Sequence, residues 1–374
     1  MIISAKPNLD KGLVFNHQVK HLPSQWKDAY FTNDGRTALI GALQTIGIKS
    51  GSNILVPAYI CNSVPNTLID NGYKVIFVDI SDELSVPINS IEEIIKDRKI
   101  DAILMVNYFG FMISRDSEIA RGLKQLGIPL ILDSCHSSFL DLGENLDKCI
   151  FDAVIFSLRK SIRIRDGGAF IVSKIKGHEI NQTKNSYVRD LFFLITLKIE
   201  SLVLKVGFPN IYGDSIQKLK NIFLRFRKKQ IKHSGFKLKV KSQISHLTLK
   251  QISNQEMINA MIEKRRLHAS IIFDHLRKIS FPMIFNEIHQ EDIPQIFPII
   301  DERGELERYL RRNKIGAYQW PGKELPIQVS GFPEDYPNTI RMNESIVCLP
   351  THQSMDKKQL NFLLTLIDHW NTQV

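Results

Sequence analysis

Lys160 lies in Phe156-Ser157-Leu158-Arg159-Lys160, 27 residues after Asp133 and seven before the pair Gly167-Gly168. A lysine amine that is partly desolvated can lose its proton near neutral pH and hold an aldehyde cofactor as a Schiff base. The end of a buried strand provides such a place, and the run Ala153 to Phe156 ahead of Lys160 is apolar. A pyridine-ring cofactor also needs a carboxylate against its ring nitrogen, which keeps the ring protonated as an electron sink. Asp133 closes another apolar run and is the natural partner. The spacing therefore suggests pyridoxal phosphate chemistry.

Three further places fit that reading, each beside a plainer one. His136 could hydrogen-bond the cofactor's phenolic oxygen, although a lone His is more often a structurally satisfied residue. Asn33-Asp34-Gly35-Arg36-Thr37-Ala38-Leu39 puts a Gly and small side chains at a helix start, where free amides and the positive dipole end can hold a phosphate. Glycine-led helix starts are common, so that signal is weak alone. Tyr59 follows Val56-Pro57-Ala58 at a strand end, where an aromatic ring could stack on a flat cofactor or simply pack.

The elements that must position these groups are legible as apolar runs alternating with helical patterns. Strands are predicted at Asn53 to Pro57, Lys74 to Val78, Ala102 to Val106, Pro129 to Leu132, Ala153 to Phe156 and Ala169 to Val172. Helices are predicted between them, as at Asn62 to Asn71 and Ser117 to Leu126. Such alternation implies an α/β fold with a mostly parallel sheet, and active groups then cluster beyond the carboxyl ends of the strands. Further on, Leu247 to Arg277 reads as one long helix, Gln295 to Ile300 and Gly316 to Tyr318 as short strands, and Lys357 to Trp370 as a final amphipathic helix. The organisation expected is a large α/β domain over 1–245 and a small α+β domain over 246–374, with the site in the cleft between them.

A chain of 374 residues, 43% hydrophobic, can bury a sizeable core and exceeds the size at which one core usually divides. Cys61, Cys135, Cys149 and Cys348 have no paired metal-ligand spacing and fit reduced thiols, so no metal site and a cytoplasmic location are expected. Met1 to Phe15 has no apolar run long enough for a signal peptide. Within a basic amphipathic segment, 190–241, the stretch Ser215 to Lys241 carries ten Lys and Arg and no Asp or Glu, equal to the whole net charge of +10. A solvated basic helix face is the plain reading. Contact with an anionic membrane surface and an electropositive approach for a phosphorylated substrate are the alternatives. No nucleic-acid motif accompanies the charge.

Taken in order, these segments resemble the DegT/StrS family of sugar aminotransferases, within the fold-type-I pyridoxal phosphate enzymes. The family's Ser-Gly-x-x-Ala-Leu appears as Asp34 to Leu39, its Val-Pro-x-aromatic as Val56 to Tyr59, and its Gly-x-x-Pro-Val-Phe-Val-Asp strand as Gly72 to Asp79. Its His-x-Tyr-Gly turn appears as Asn107-Tyr108-Phe109-Gly110, its acidic Glu-Asp-Ala-Ala-Gln/His element as Leu132 to His136, and its Leu-Pro-x-His as Leu349 to His352. The resemblance implies that Lys160 is the Schiff-base lysine and proton shuttle, Asp133 the ring-nitrogen partner, His136 the contact to the phenolic oxygen and Tyr59 the stacking ring. It implies that Gly35, Arg36, Thr37 and Ser157 hold the phosphate; in the C-terminal part, Tyr318, Trp320 and His352 are candidate substrate contacts, each fitting a purely structural role as well. It further implies a homodimer that moves an amino group from glutamate to a keto group of a nucleotide-linked sugar with ping-pong kinetics, as in surface polysaccharide or antibiotic sugar synthesis.

Three departures mark a divergent branch. Family members place a Ser five residues before the Lys, whereas Ser157 is three before Lys160. An Asn-x-Arg pair expected near Gly235 to Leu249 is missing, so either Lys239 or Lys241 substitutes or the cofactor is held more weakly. Asn107 replaces the histidine of His-x-Tyr-Gly. Some relatives dehydrate sugars and replace the lysine with His, so Lys160 favours transamination. A non-sugar substrate, and a catalytically silent scaffold that binds a partner or membrane, are the other readings.

Overall fold

The computed structural model describes residues 2–7, 26–111, 114–137, 150–173, 181–182, 193, 195, 243–322 and 324–372. The basic run at 215–241 and Cys149 lie outside the described residues.

The first half builds one seven-stranded sheet from β1 (Tyr30–Thr32), β2 (Asn53–Pro57), β3 (Lys74–Val78), β4 (Ala102–Val106), β5 (Leu130–Asp133), β6 (Ala153–Ser157) and β7 (Gly168–Val172). Their order is β1-β7-β6-β5-β4-β2-β3. Strands β2 to β6 run parallel, while β7 is antiparallel to both β6 and β1. Every residue of β4, β5, β6 and β7 is buried. Sheets covered on both faces show this continuous burial, and it is why the strands read as unbroken apolar runs.

The connecting helices are α1 (Gly35–Thr45), α2 (Ser63–Asp70), α3 (Ile88–Asp97) and α4 (Ser114–Lys124). Helix α1 is buried from Ala38 to Leu43 and lies on β6 and β7. Gly41 permits that approach, since a Cβ there would meet the Phe170 ring at 2.6 Å. The start of α1 is thereby fixed over the ends of the central strands.

The second half contributes β8 (Asn181–Gln182), β9 (Gln243–Ile244), α5 (His246–Ile252), α6 (Gln255–Lys278), β10 (Ile296–Ile300), α7 (Leu306–Arg312), α8 (Ile327–Ser330), α9 (Pro337–Ser345), β11 (Ile346–Pro350) and α10 (Lys357–Thr372). Strands β10 and β11 pair antiparallel. The long helix expected over Leu247 to Arg277 is two helices. Ser253 and Asn254 divide them because their side chains compete for backbone groups. Ser253 Oγ donates back to the Leu249 carbonyl (2.8 Å), and Asn254 Oδ1 caps α6 by accepting from the Met257 amide (3.0 Å). The strand expected at Gly316 to Tyr318 is also absent. Its backbone is divided between two neighbours: the Gly316 amide donates to the Ile3 carbonyl (2.7 Å), and Tyr318 makes a single bridge to Cys348. No described helix is long and apolar enough to cross a membrane.

Candidate active site

Asp133 is the last residue of β5 and sits between Val106 of β4 and Ile155 of β6 in the sheet register. Its side chain is buried, with Oδ1 accepting from the Cys135 amide at 2.9 Å. The chain then turns through Ser134 to Ser137, which brings His136 to the same end of the sheet. His136 Nδ1 accepts from the Phe109 amide (3.1 Å), so the neutral ring carries its proton on Nε2. Burial, and then the charge of Lys160, hold His136 well below the usual histidine range. It is therefore a neutral N–H donor, suited to an anionic phenolic oxygen.

The Phe109 amide is aimed by an unusual backbone. Phe109 has φ +62° and Gly110 φ +89°, consecutive left-handed residues in the turn after β4. For a bulky residue such as Phe109 this conformation is strained and persists only where its surroundings impose it. The carbonyls of Phe109 and Gly110 accept from the amides of Gln295 (2.8 Å) and Ile293 (2.9 Å). A Cβ at Gly110 would meet the Ile293 carbonyl at 2.2 Å, so only glycine admits that approach. The Phe109 ring lies parallel to His136, with centroids 5.8 Å apart.

Lys160 ends a 3-10 turn, Leu158–Lys160, directly after β6, and is half-buried. Because β6 runs parallel beside β5, the turn that carries Lys160 lies at the same end of the sheet as the turn that begins at Asp133. The lysine turn is held from three directions. The Leu158 amide donates to the Gly167 carbonyl (2.8 Å) and the Ser161 amide to the Leu158 carbonyl (3.1 Å), while the Ser161 carbonyl accepts from Arg265 Nη2 (3.0 Å). Ser157 is buried beside the start of α1, since a Cβ on Gly35 would lie 3.4 Å from its own. The position five before Lys160 is Ile155, an apolar residue inside β6.

The start of α1 departs from expectation. Asp34 is its N-cap, and Oδ1 accepts from both the amide and the hydroxyl of Thr37 at 3.0 Å. Oδ2 pairs with Arg36 Nη2, also at 3.0 Å. Burial alone would raise this carboxyl, but the Thr37 amide and the Arg36 charge hold it below the usual carboxylate range. The amides of Gly35 and Arg36 have no acceptor among the described residues. Of the phosphate donors expected here, Thr37 is thus engaged by Asp34, while Gly35 and Arg36 keep free amides.

Tyr59 follows β2 but presents no open face. It is fully buried, its hydroxyl donates to the Trp320 carbonyl, and its ring stands edge-on to Trp320 at 5.1 Å. Burial pushes its phenol well above the usual tyrosine range. Trp320 also meets His136 edge-on at 4.9 Å and Phe109 at 5.5 Å. Trp320 therefore belongs to the cluster, whereas His352 does not: its Nε2 faces the Ser4 carbonyl at 2.8 Å. Tyr318 is bridged to Cys348.

Asp133, His136, Lys160 and the free amides at Gly35 and Arg36 fit pyridoxal phosphate. The Asp34 carboxylate beside those amides opposes its phosphate. Sequence reasoning missed Asp34's charge, the left-handed Phe109, Trp320's place over His136, and Arg265 behind Ser161. It also missed Asp166, a buried carboxylate that accepts from the amide (3.1 Å) and hydroxyl (2.7 Å) of Ser245 and from the Thr248 hydroxyl, tying the approach to Gly167-Gly168 to α5.

Residues 15–175 match the profile of the DegT/DnrJ/EryC1/StrS aminotransferase family. No curated protein matches the sequence. Among solved structures, Helicobacter pylori PseC, an aminotransferase of pseudoaminic acid biosynthesis, is similar over 100% of both chains, with 15% identity and TM-score 0.64. DesV of S. venezuelae, solved with a ketimine intermediate, is similar over 92% of this chain and 85% of its own (16% identity, TM-score 0.62). NtdA of Bacillus subtilis, solved with bound cofactor PMP, is similar over 92% of this chain and 73% of its own (15% identity, TM-score 0.61). At these identities the likeness establishes the fold, a mixed α/β fold of the aminotransferase type. Through residues 15–175, this chain is similar to the DegT/DnrJ/EryC1/StrS aminotransferase family.

Proposed function

We propose that the chain is a pyridoxal phosphate-dependent aminotransferase that moves an amino group from glutamate to a keto group of a nucleotide-linked sugar, in two successive half-reactions on a homodimer. The observation that carries this reading is that Asp133 ends β5 and Lys160 follows β6, at the carboxyl ends of adjacent parallel strands. When bound, the cofactor supplies an electron sink that makes the proton on the donor's α-carbon removable. Lys160 holds the cofactor aldehyde and, once released, moves that proton through Nζ. The Asp133 carboxylate holds the ring nitrogen, His136 Nε2–H the phenolic oxygen, and the Gly35 and Arg36 amides the phosphate. Trp320, against His136 and Tyr59, excludes water from that side.

Sugar chemistry is favoured by the family match and by the likeness to Spr1654 of Streptococcus pneumoniae, solved as a putative sugar aminotransferase. The test is amino transfer from glutamate to a panel of nucleotide-linked keto sugars and free keto acids, with initial rates measured against both substrates. Parallel double-reciprocal lines with a keto sugar support the reading. Transfer to keto acids alone would move the substrate out of the sugar class, and no cofactor uptake would point to a silent scaffold.

A further inference from the structure

The start of α1 already holds an anion. Asp34 lies with its side chain 12% exposed, and its carbonyl is pinned by the Thr32 hydroxyl (2.9 Å) and the Ala38 amide (3.0 Å). A Cβ on Gly168 would come within 2.0 Å of that carbonyl, so the sheet abuts Asp34 and leaves it no room to retreat. Its carboxylate takes the Thr37 amide that an incoming phosphate could otherwise use, and pairs with Arg36, whose side chain is 57% exposed. Arg36 is therefore the mobile member of the pair and Asp34 the fixed one. The two free amides, Gly35 and Arg36, stand next to both.

Resting on the cofactor reading above, we infer that Asp34 and Arg36 form a built-in counter-charge at the cofactor's phosphate end, in which Arg36 passes from Asp34 to the arriving phosphate. Asp34 is the specificity-determining residue of this arrangement. Its fixed negative charge opposes every phosphorylated ligand, and Arg36 offsets that opposition only by leaving it. The chain thus discriminates less sharply between pyridoxal phosphate and unphosphorylated pyridoxal than a neutral cap would.

The experiment titrates the apo chain with pyridoxal phosphate and, separately, with pyridoxal, following the visible absorbance of the lysine-linked aldehyde rather than turnover. Asp34→Asn preserves the cap, because Asn caps as well as Asp, and removes the charge. It is expected to raise affinity for pyridoxal phosphate relative to pyridoxal roughly tenfold to a hundredfold, the size of a close like-charge repulsion at the protein surface. Arg36→Gln is expected to lower that ratio. Asp34→Ser, also a good cap, repeats the measurement should the Asn variant fold poorly. An unchanged or lowered ratio in the Asp34 variants, with both aldehydes still binding Lys160, would overturn the inference alone. Absence of the visible band with either aldehyde in the wild-type chain would contradict the cofactor reading itself, and this inference with it.

Discussion

Arg265 lies on the buried stripe of α6, between Met261 and His268, and is 1% exposed. Its guanidinium donates from Nε to Gln353 Oε1 (3.1 Å), from Nη1 to the carbonyls of Pro294 and Gln295 (3.2 Å each), and from Nη2 to the Ser161 carbonyl (3.0 Å). All four acceptors are uncharged. One side chain thus ties the lysine turn to the 293–295 segment, which in turn holds Phe109 and Gly110. In Arg265→Met the stem is replaced by a flexible apolar chain, and four charge-assisted bonds are lost, at about 1.5 kcal/mol each a gross loss of about 6 kcal/mol. Part of this is recovered. Burial pulls the guanidinium down to about 10, and the desolvation this reflects, about 3 kcal/mol, disappears with the charge. The expected net loss is about 3 kcal/mol in urea unfolding, with Arg265→Lys intermediate, because one ammonium cannot span the fork. A loss below about 1 kcal/mol for Arg265→Met would refute the argument that this residue clamps the site.

Gly110→Ala should destabilise by about 2 kcal/mol or more, since its Cβ meets backbone that cannot swing aside and its φ is left-handed; the thermal midpoint checks this. His352 is held neutral because burial pulls it down to about 4 and its Nδ1 has no partner among the described residues. Its folded value is depressed, so the unfolded chain binds the extra proton. Stability from this group is complete above about 6.5 and falls as pH drops from there toward 4, by up to about 3 kcal/mol. Urea midpoints across that range should show the slope, and His352→Phe should flatten it.

The sheet was readable because strands buried on both faces leave unbroken apolar runs, and β2 and β4 fall where those runs lie. Asp133 and Lys160 were readable for the same reason, each following such a run. The break in the helix after Leu247 was obscured by apolar spacing that continues across Ser253-Asn254, although two cap-forming residues in succession were a usable signal. Arg265 carried a weaker one, a charge on an apolar stripe; its acceptors come from Ser161, Pro294, Gln295 and Gln353, far apart in the chain. The position of Tyr59 after β2 was legible, but its cover by Trp320 depends on a contact 261 residues away. The left-handed Phe109 had no signal at all, because non-glycine residues adopt that conformation only under tertiary constraint.

The most direct test of the account is the visible spectrum of the purified chain with pyridoxal phosphate, before and after glutamate, for wild type and Lys160→Ala. The account predicts a lysine-linked cofactor band in the wild type that glutamate discharges, and no such band in the variant. A wild-type chain without the band, or a Lys160→Ala variant that keeps both the band and full amino transfer, would contradict it.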